Sequence, residues 1–533
     1  MKFSTSKKIV SVLFIVLIIF SALALVSCTD NQGVAEPDEI KLNVIDDKSR
    51  NWYEIFVHSY FDTNNDGIGD LNGVTEKLDY IKDMGFNGIW LMPIHPSPTY
   101  HKYDVRDYYE IDSQYGTLED FDRLIDEAHK RGIDVIIDLV VNHSSSDHPY
   151  FREACKYIKD NGTPGGEYGD FYNFTTQSLA GYSRVEGTPY YYESRFWSGM
   201  PDLNLNSEKV RAEIINIMKY WLVEHNADGF RLDAVTSYYT GDTQKNVEFL
   251  SWLNTEAKKI KPDCYIVGEA WVGNDVEINN YYQSGIDSFF LFTGAQGTGN
   301  IATIVKQQSG AQLGKLMMSL QSTYTKGVLA PFLGNHDTMR PGSFMPGEEN
   351  VKMACGVLSM MNGSIFVYYG EEIGMISKGG GNSDPAKRIA MKWQAKNIYE
   401  GCCYLPPENT PVDETSYYYP SVEEQMADGQ SILNYYKTAM TLRNRFPSIA
   451  RGTVENLSEG QNNYICILRK TYQEECIVIV FNLDSFEQVI SVDKEALGVS
   501  GIAGELLTDT TLRPTFDGEG NLKLPPKSIV ILK

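Results

Sequence analysis

The chain has 533 residues, with 47 Lys+Arg against 70 Asp+Glu and a formal charge of −23. Its 42% hydrophobic and 22% charged content excludes disorder over most of the length, and 8 cysteines are too few for a disulfide-dense scaffold. The acidic balance argues against nucleic acid as a partner, because neutralising phosphates takes clustered Lys and Arg.

Lys2, Lys7 and Lys8 precede an apolar run from Ile9 to Leu25. A basic segment before an apolar one reads as a secretory signal. Leu25-Val26-Ser27-Cys28 resembles a bacterial lipobox. Residues 1–27 are therefore expected to be a lipoprotein signal peptide and Cys28 the lipidation site. The protein would be extracytoplasmic, anchored by lipid to a bacterial cell membrane. An uncleaved membrane anchor is the alternative, and it faces the protein outward as well. Residues 28–47 are polar, acidic and aperiodic, and read as a flexible tether.

Eight short apolar or aromatic runs follow: Trp52–His58, Asn87–Ile94, Asp134–Val141, Gly229–Val235, Tyr265–Ala270, Ser288–Phe292, Pro331–Gly334 and Ile365–Tyr369. Most are separated by segments of helical spacing, such as Phe121, Leu124, Ile125 and Ala128. Strands alternating with helices predict a parallel sheet, and eight of them a (β/α)8 TIM barrel with its reactive groups at the C-terminal strand ends. The barrel is expected over 48–143 and 201–447. The interval between the third and fourth strands is too long for one helix. Residues 144–200, rich in Gly, Tyr and Phe and poor in helical period, should form an inserted irregular domain over the barrel mouth. After an amphipathic helix over Ile432–Arg445, residues 448–533 alternate apolar and polar and predict an antiparallel β-sandwich. Cys466 and Cys476 flank a predicted hairpin turn there. They either oppose each other across two strands or remain buried free thiols.

Within the loop after the first strand, Asp62, Asn64 and Asp66 place oxygen donors at alternate positions, followed by the Ile68 carbonyl and Asp70, with Gly67 at the sixth position. That is the spacing of a calcium loop, but Gly73 stands at the twelfth position instead of Glu. A structural calcium or magnesium ion is expected; an Asx-rich turn without metal is the alternative. Gly297-Thr298-Gly299 has the look of a dinucleotide fingerprint, but no acidic residue follows at the needed spacing, so it reads as a barrel loop. No organic cofactor is expected.

Asp138, Asp233, Glu269 and Asp337 all stand at predicted strand ends. An unpaired carboxylate in a dry setting costs several kcal/mol, so four converging on one barrel face call for a chemical reason. Glycoside hydrolysis supplies one: a carboxylic acid protonates the leaving oxygen while a carboxylate attacks or stabilises the sugar cation. Arg231, two residues before Asp233 on one strand face, favours an ionised Asp233. The apolar run Ile266-Val267-Gly268-Glu269-Ala270 favours a protonated Glu269. His143 and His336 offer donors for sugar hydroxyls.

These segments resemble glycoside hydrolase family 13, the α-amylase family, over residues 50–533. Asp138-Leu139-Val140-Val141-Asn142-His143 resembles its first motif, Gly229-Phe230-Arg231-Leu232-Asp233 the nucleophile motif, Gly268-Glu269 the acid/base motif, and Gly334-Asn335-His336-Asp337 the motif of the third carboxylate. The resemblance implies a retaining double displacement with Asp233 as nucleophile, Glu269 as acid then base, and Asp337 binding and distorting the sugar. It implies Arg231, His143 and His336 around the same sugar, and Tyr103 as its aromatic platform. Met200-Pro201-Asp202-Leu203-Asn204 resembles a motif of amylases intermediate between the oligo-1,6-glucosidase and neopullulanase groups. Thr236 and Ser237 stand where family members with a calcium ion between barrel and inserted domain often carry Lys-His. The implied activity is endo-hydrolysis of α-1,4-glucosidic bonds in starch and maltooligosaccharides by a monomer. An exo-α-glucosidase or 4-α-glucanotransferase is the alternative within enzymes, and a non-catalytic glucan-binding lipoprotein the alternative outside them.

Overall fold

The computed structural model describes residues 45–377, 383–395, 401–404, 406–407 and 420–533. The expected signal segment and Cys28 lie outside the described residues. Among the described residues, no helix is long and apolar enough to cross a membrane.

The barrel begins with β1 (Asn51–Ile55), β2 (Gly88–Leu91) and β3 (Asp134–Leu139). The inserted segment contributes β4 (Phe174–Thr175), β5 (Tyr182–Arg184) and β6 (Tyr191–Glu193). The barrel resumes with β7 (Gly229–Leu232), β8 (Tyr265–Gly268), β9 (Ser288–Phe290), β10 (Val328–Ala330) and β11 (Ile365–Tyr368). Its order is β10-β9-β8-β7-β3-β2-β1-β11, with every pairing parallel. A Phe332–Phe366 bridge, with Ser364 N–H donating to Leu329 O and Phe366 N–H to Pro331 O, joins the last pair and nearly closes the barrel. Trp52, Trp90, Tyr265, Phe290 and Phe366 fill the interior, with Trp52 stacked on Tyr265 at 4.9 Å. Fully burying such side chains contributes about 1.5–3 kcal/mol each.

The seventh strand lies three residues earlier than expected, at Val328–Ala330 rather than Pro331–Gly334. Pro331 has no N–H to give a ladder, so the apolar Pro331-Phe332-Leu333 run is the strand's exit. The other barrel strands stop one to three residues short of the apolar runs, which leaves Asp233 and Glu269 just beyond β7 and β8.

The inserted segment differs from expectation in one respect: it holds a 13-residue helix, Pro149–Asn161. The helix starts on His148, whose ring accepts from Tyr150 N–H. It carries Pro149 at its first position and ends on Gly162 at φ 74°. Its apolar face is only Phe151, Ala154 and Ile158, and the surrounding aromatics conceal that period in the sequence. The two ends of the segment lie side by side: Ser144 N–H donates to Pro201 O, Ser146 N–H to Gly199 O, and Leu203 N–H to Asn142 O.

The helix Ile432–Arg445 forms as expected. Beyond it come β12 (Thr453–Asn456), β13 (Ile465–Tyr472), β14 (Glu475–Asn482), β15 (Gln488–Ser491), β16 (Ile502–Leu507), β17 (Thr515–Phe516), β18 (Asn521–Leu524) and β19 (Ser528–Leu532). They make a five-stranded sheet, β12-β13-β14-β19-β16, and a three-stranded one, β15-β18-β17, both antiparallel. Ile467, Val480, Leu522 and Leu524 are in the core between the two sheets. The alternate residues Cys466, Leu468, Ile479 and Phe481 join the main core. The β13–β14 register sets Cys466 opposite Phe481 and Cys476 opposite Thr471. The two thiols therefore do not oppose each other. Both are free, with Cys466 buried and Cys476 exposed.

Candidate active site

Arg231 lies within β7 and is fully buried. Its Nη1 donates to Asp138 Oδ1 at 2.6 Å and to Asp233 Oδ1 at 2.8 Å, and its Nη2 lies 3.2 Å from Glu269 Oε2. One guanidinium thus touches carboxylates from three neighbouring strands. The parallel register makes this possible, setting Asp138 beside Arg231 and Arg231 beside Val267. Asp138 also accepts from Trp90 Nε1–H at 3.1 Å. Burial raises its pKa to about 6 against the pull of Arg231.

Glu269 is pushed up to about 7, first by burial, then by the Asp233 and Asp337 charges, with Arg231 opposing. Its Oε2 accepts from Ala234 N–H at 2.9 Å. Ala234 adopts φ 49°, unusual for a residue with a Cβ, and this turn directly after Asp233 goes with that contact.

Asp337 accepts from Arg388 Nη2–H at 2.7 Å and lies 3.0 Å from His336 Nε2. Burial works against its charge, but His336, Arg388 and Arg231 together hold it well below the usual carboxylate range. Tyr103 stacks on His336 at 5.6 Å, with its hydroxyl 2.7 Å from His336 Nε2. His143 is neutral and fully engaged: Nε2–H donates to Tyr103 O at 3.2 Å, and Nδ1 accepts from Asn142 Nδ2–H at 3.3 Å. Burial lowers its pKa despite nearby Asp233. Of the residues expected at a sugar site, Tyr103, His143, Asp233, Glu269 and Asp337 line one open cleft of about 440 Å³, while Arg231 and His336 lie behind its wall.

Phe196 and Trp197 from the inserted segment and Trp271 from the loop after β8 line the same cleft, each about half exposed. Tyr192 of the same segment is buried, its hydroxyl donating to Ser198 O. Thr236 and Ser237 are in the cleft wall. In the Met200–Asn204 motif, Asp202 accepts from Asn142 Nδ2–H at 3.3 Å and Arg195 N–H at 3.1 Å, bracing the insertion against the barrel.

Sequence reasoning missed Arg388, Asp384 and Trp271 in this cleft, and Glu54 behind it. Arg388 and Asp384 come from a segment with no strand or helical period. The signal for Glu54 was present: a lone charge inside the run Trp52-Tyr53-Glu54-Ile55.

The Asp62–Asp70 loop coils through successive side-chain-to-backbone bonds. Asp62 accepts from Asn65 and Gly67 N–H at 2.7 Å each, Asn64 from Asp66 N–H at 2.8 Å, and Asp66 from Ile68 N–H at 2.8 Å. Gly67 sits at φ 93°, which only glycine adopts without strain. Asp70 accepts from Thr63 N–H within the loop and caps the helix Leu71–Glu76 through Gly73 N–H. The donors are hard oxygens of the kind that calcium and magnesium take. Among the described residues, however, no three His, Cys, Asp or Glu side chains gather as a metal shell.

Residues 54–452 match the family described as alpha amylase, catalytic domain. The chain belongs to the α-amylase family, glycoside hydrolase family 13. It is 36% identical over 455 residues to Alpha-amylase 3 of Dictyoglomus thermophilum, covering 84% of this chain and 87% of that one. It is 34% identical over 384 residues to an oligo-1,6-glucosidase of Heyndrickxia coagulans, covering 61% and 66%. Among solved structures, Eubacterium rectale Amy13B superposes with a TM-score of 0.87 at 43% identity, covering 92% of this chain and 97% of that one. This chain is an α-amylase-like glycoside hydrolase of that family.

Proposed function

We propose that the protein is a retaining, endo-acting α-glucan hydrolase that cleaves α-1,4-glucosidic bonds of starch and maltooligosaccharides. The observation that carries this reading is the single Arg231 guanidinium against Asp138, Asp233 and Glu269, just behind the wall of an open cleft. Asp233, paired with Arg231, attacks the anomeric carbon. Glu269, with a pKa of about 7, gives its proton to the departing sugar oxygen, then takes one from the water that releases the glycosyl-enzyme. Asp337, fixed as an anion by His336 and Arg388, binds the hydroxyls of the sugar being distorted. Tyr103 lies beneath that sugar.

The cleft supports endo action. No carboxylate occurs among Tyr100, His101 and Lys102, just before the platform tyrosine, to close a pocket around a terminal sugar. Phe196, Trp197 and Trp271 offer apolar faces for further sugars. One feature favours exo-α-glucosidase or transferase action instead: Asp384 brings a carboxylate into the same cleft. The two separate on maltoheptaose blocked at its non-reducing end. Endo action cuts it and gives mixed short maltooligosaccharides early from soluble starch; intact blocked chains with glucose as sole early product would establish exo action.

The Asp62–Asp70 loop would hold calcium or magnesium through Asp62, Asn64, Asp66 and the Ile68 carbonyl, with Asp70 reached by a small reorientation. The ion would stiffen the loop between β1 and the first barrel helix. The sequence around Cys28 supports lipid anchoring outside a bacterial cell.

A further inference from the structure

His336 stands between two carboxylates. Its Nδ1 is 2.5 Å from Glu54 Oε1, and its Nε2 is 3.0 Å from Asp337 Oδ2 and 2.7 Å from the Tyr103 hydroxyl. Glu54 lies mid-β1, fully buried, and the same Oε1 accepts from His336 backbone N–H at 3.3 Å. An ionised carboxylate only accepts. A neutral imidazole has one N–H and one lone pair, so it would set a lone pair against one of these two anions. Only the doubly protonated ring satisfies both.

We propose that Glu54 is a positioning residue that keeps His336 an imidazolium, so that Nε2–H stays committed to Asp337 and Tyr103 at the sugar-binding end of the cleft. The assignment rests on the hydrolase reading above only for its effect on catalysis. The groups facing His336 are Glu54 from β1, Tyr103 from the loop after β2, Asp138 from β3, Arg231 from β7, and Arg388, whose Nε–H donates to His336 O at 3.2 Å. Trp90 meets the ring edge-on at 5.5 Å. Burial alone would lower the His336 pKa; Asp337 and Glu54 reverse that and carry it to about 9. Without the Glu54 charge, burial would be opposed chiefly by Asp337 and the ring would titrate lower. A neutral ring has one N–H; held on Nδ1 by an acceptor at position 54, it leaves Asp337 with Arg388 alone.

The test is Glu54→Gln, which keeps an acceptor for Nδ1–H and removes the charge. The ratio of variant to wild-type kcat/KM should fall about tenfold or more at pH 8 and less than about threefold at pH 5.5, where His336 is protonated in both. A ratio equal at the two pH values, or a variant indistinguishable from wild type, would refute the proposal. The second measurement needs neither activity nor the variant's folding. Imidazole ¹⁵N shifts in wild-type protein, assigned by comparison with His336→Asn, should show a doubly protonated His336 at pH 8. A neutral ring there would overturn the assignment even in an active enzyme. An imidazolium in a protein inactive on glucans would uphold it and refute the hydrolase reading alone.

Discussion

Two of the places that bury cations use them in opposite ways. At the barrel mouth, Arg231 faces Asp138, Asp233 and Glu269. At the junction of barrel and C-terminal sheets, Arg443 and Lys470 are equally buried but meet almost only carbonyls. Arg443 donates to the backbone oxygens of Ser359, Met361 and Gly363 and to Asn51 Oδ1. Lys470 Nζ donates to Met360 O, Ile449 O and Asn362 Oδ1, three acceptors for the three protons of an ammonium. Burial lowers both: Lys470 well below its ordinary value with Arg443 adding, and Arg443 to about 9 with Arg451 adding. A cation among carboxylates sets which of them hold protons. A cation among carbonyls ties down the turn between the helix Glu348–Ser359 and β11. The first arrangement is the one proposed to do chemistry; the second fastens the last barrel strand.

The largest expected effect breaks the first arrangement. Asp233→Asn keeps the shape beside Arg231 and removes the attacking oxygen anion, so glucan hydrolysis should fall at least about 10³-fold while glucan binding and the melting temperature persist. Near-wild-type turnover in the folded variant would exclude Asp233 as nucleophile. A smaller, purely structural effect should follow Arg443→Met. It strands buried carbonyls, costs about 3 kcal/mol and lowers Tm by about 3 °C, with kcat per folded molecule unchanged. An equal loss of kcat would mean that the two sites are not separable as argued. The smallest effect concerns the Asp62–Asp70 loop. A bound ion stabilises only the folded state, so a chelator should lower Tm by a few degrees, and Asp66→Ala should abolish that response. A melting curve unmoved after elemental analysis proves the metal gone would make the loop a metal-free Asx turn.

The barrel was legible because its strands are short apolar runs at regular spacing, and its carboxylates because a charge at the end of such a run is conspicuous. The insertion was legible from the interval between Asp138 and Asp233 alone. What escaped were features set by distant contacts. Arg388 reaches Asp337 from a segment without period, and no local pattern announces that meeting. Glu54 was visible as a charge in a strand, but its partner is far along the chain. The cysteine pair failed on register: the Tyr472–Glu475 pairing at the hairpin turn puts Thr471, not Cys466, across from Cys476.

The pairing of β1 with β11 has a consequence for the birth of the molecule. Tyr53 lies against Val367, and in the finished barrel the opening strand is held by one of the last to be made. At ribosomal speeds of roughly 5–20 residues per second, the interval between emergence of these two strands is about 15–60 s. Through that interval β1 presents one open edge, with Trp52 and its neighbours unsheltered. A nascent chain stalled short of residue 365 should therefore be a prime client for chaperones, whatever the stability of the finished enzyme.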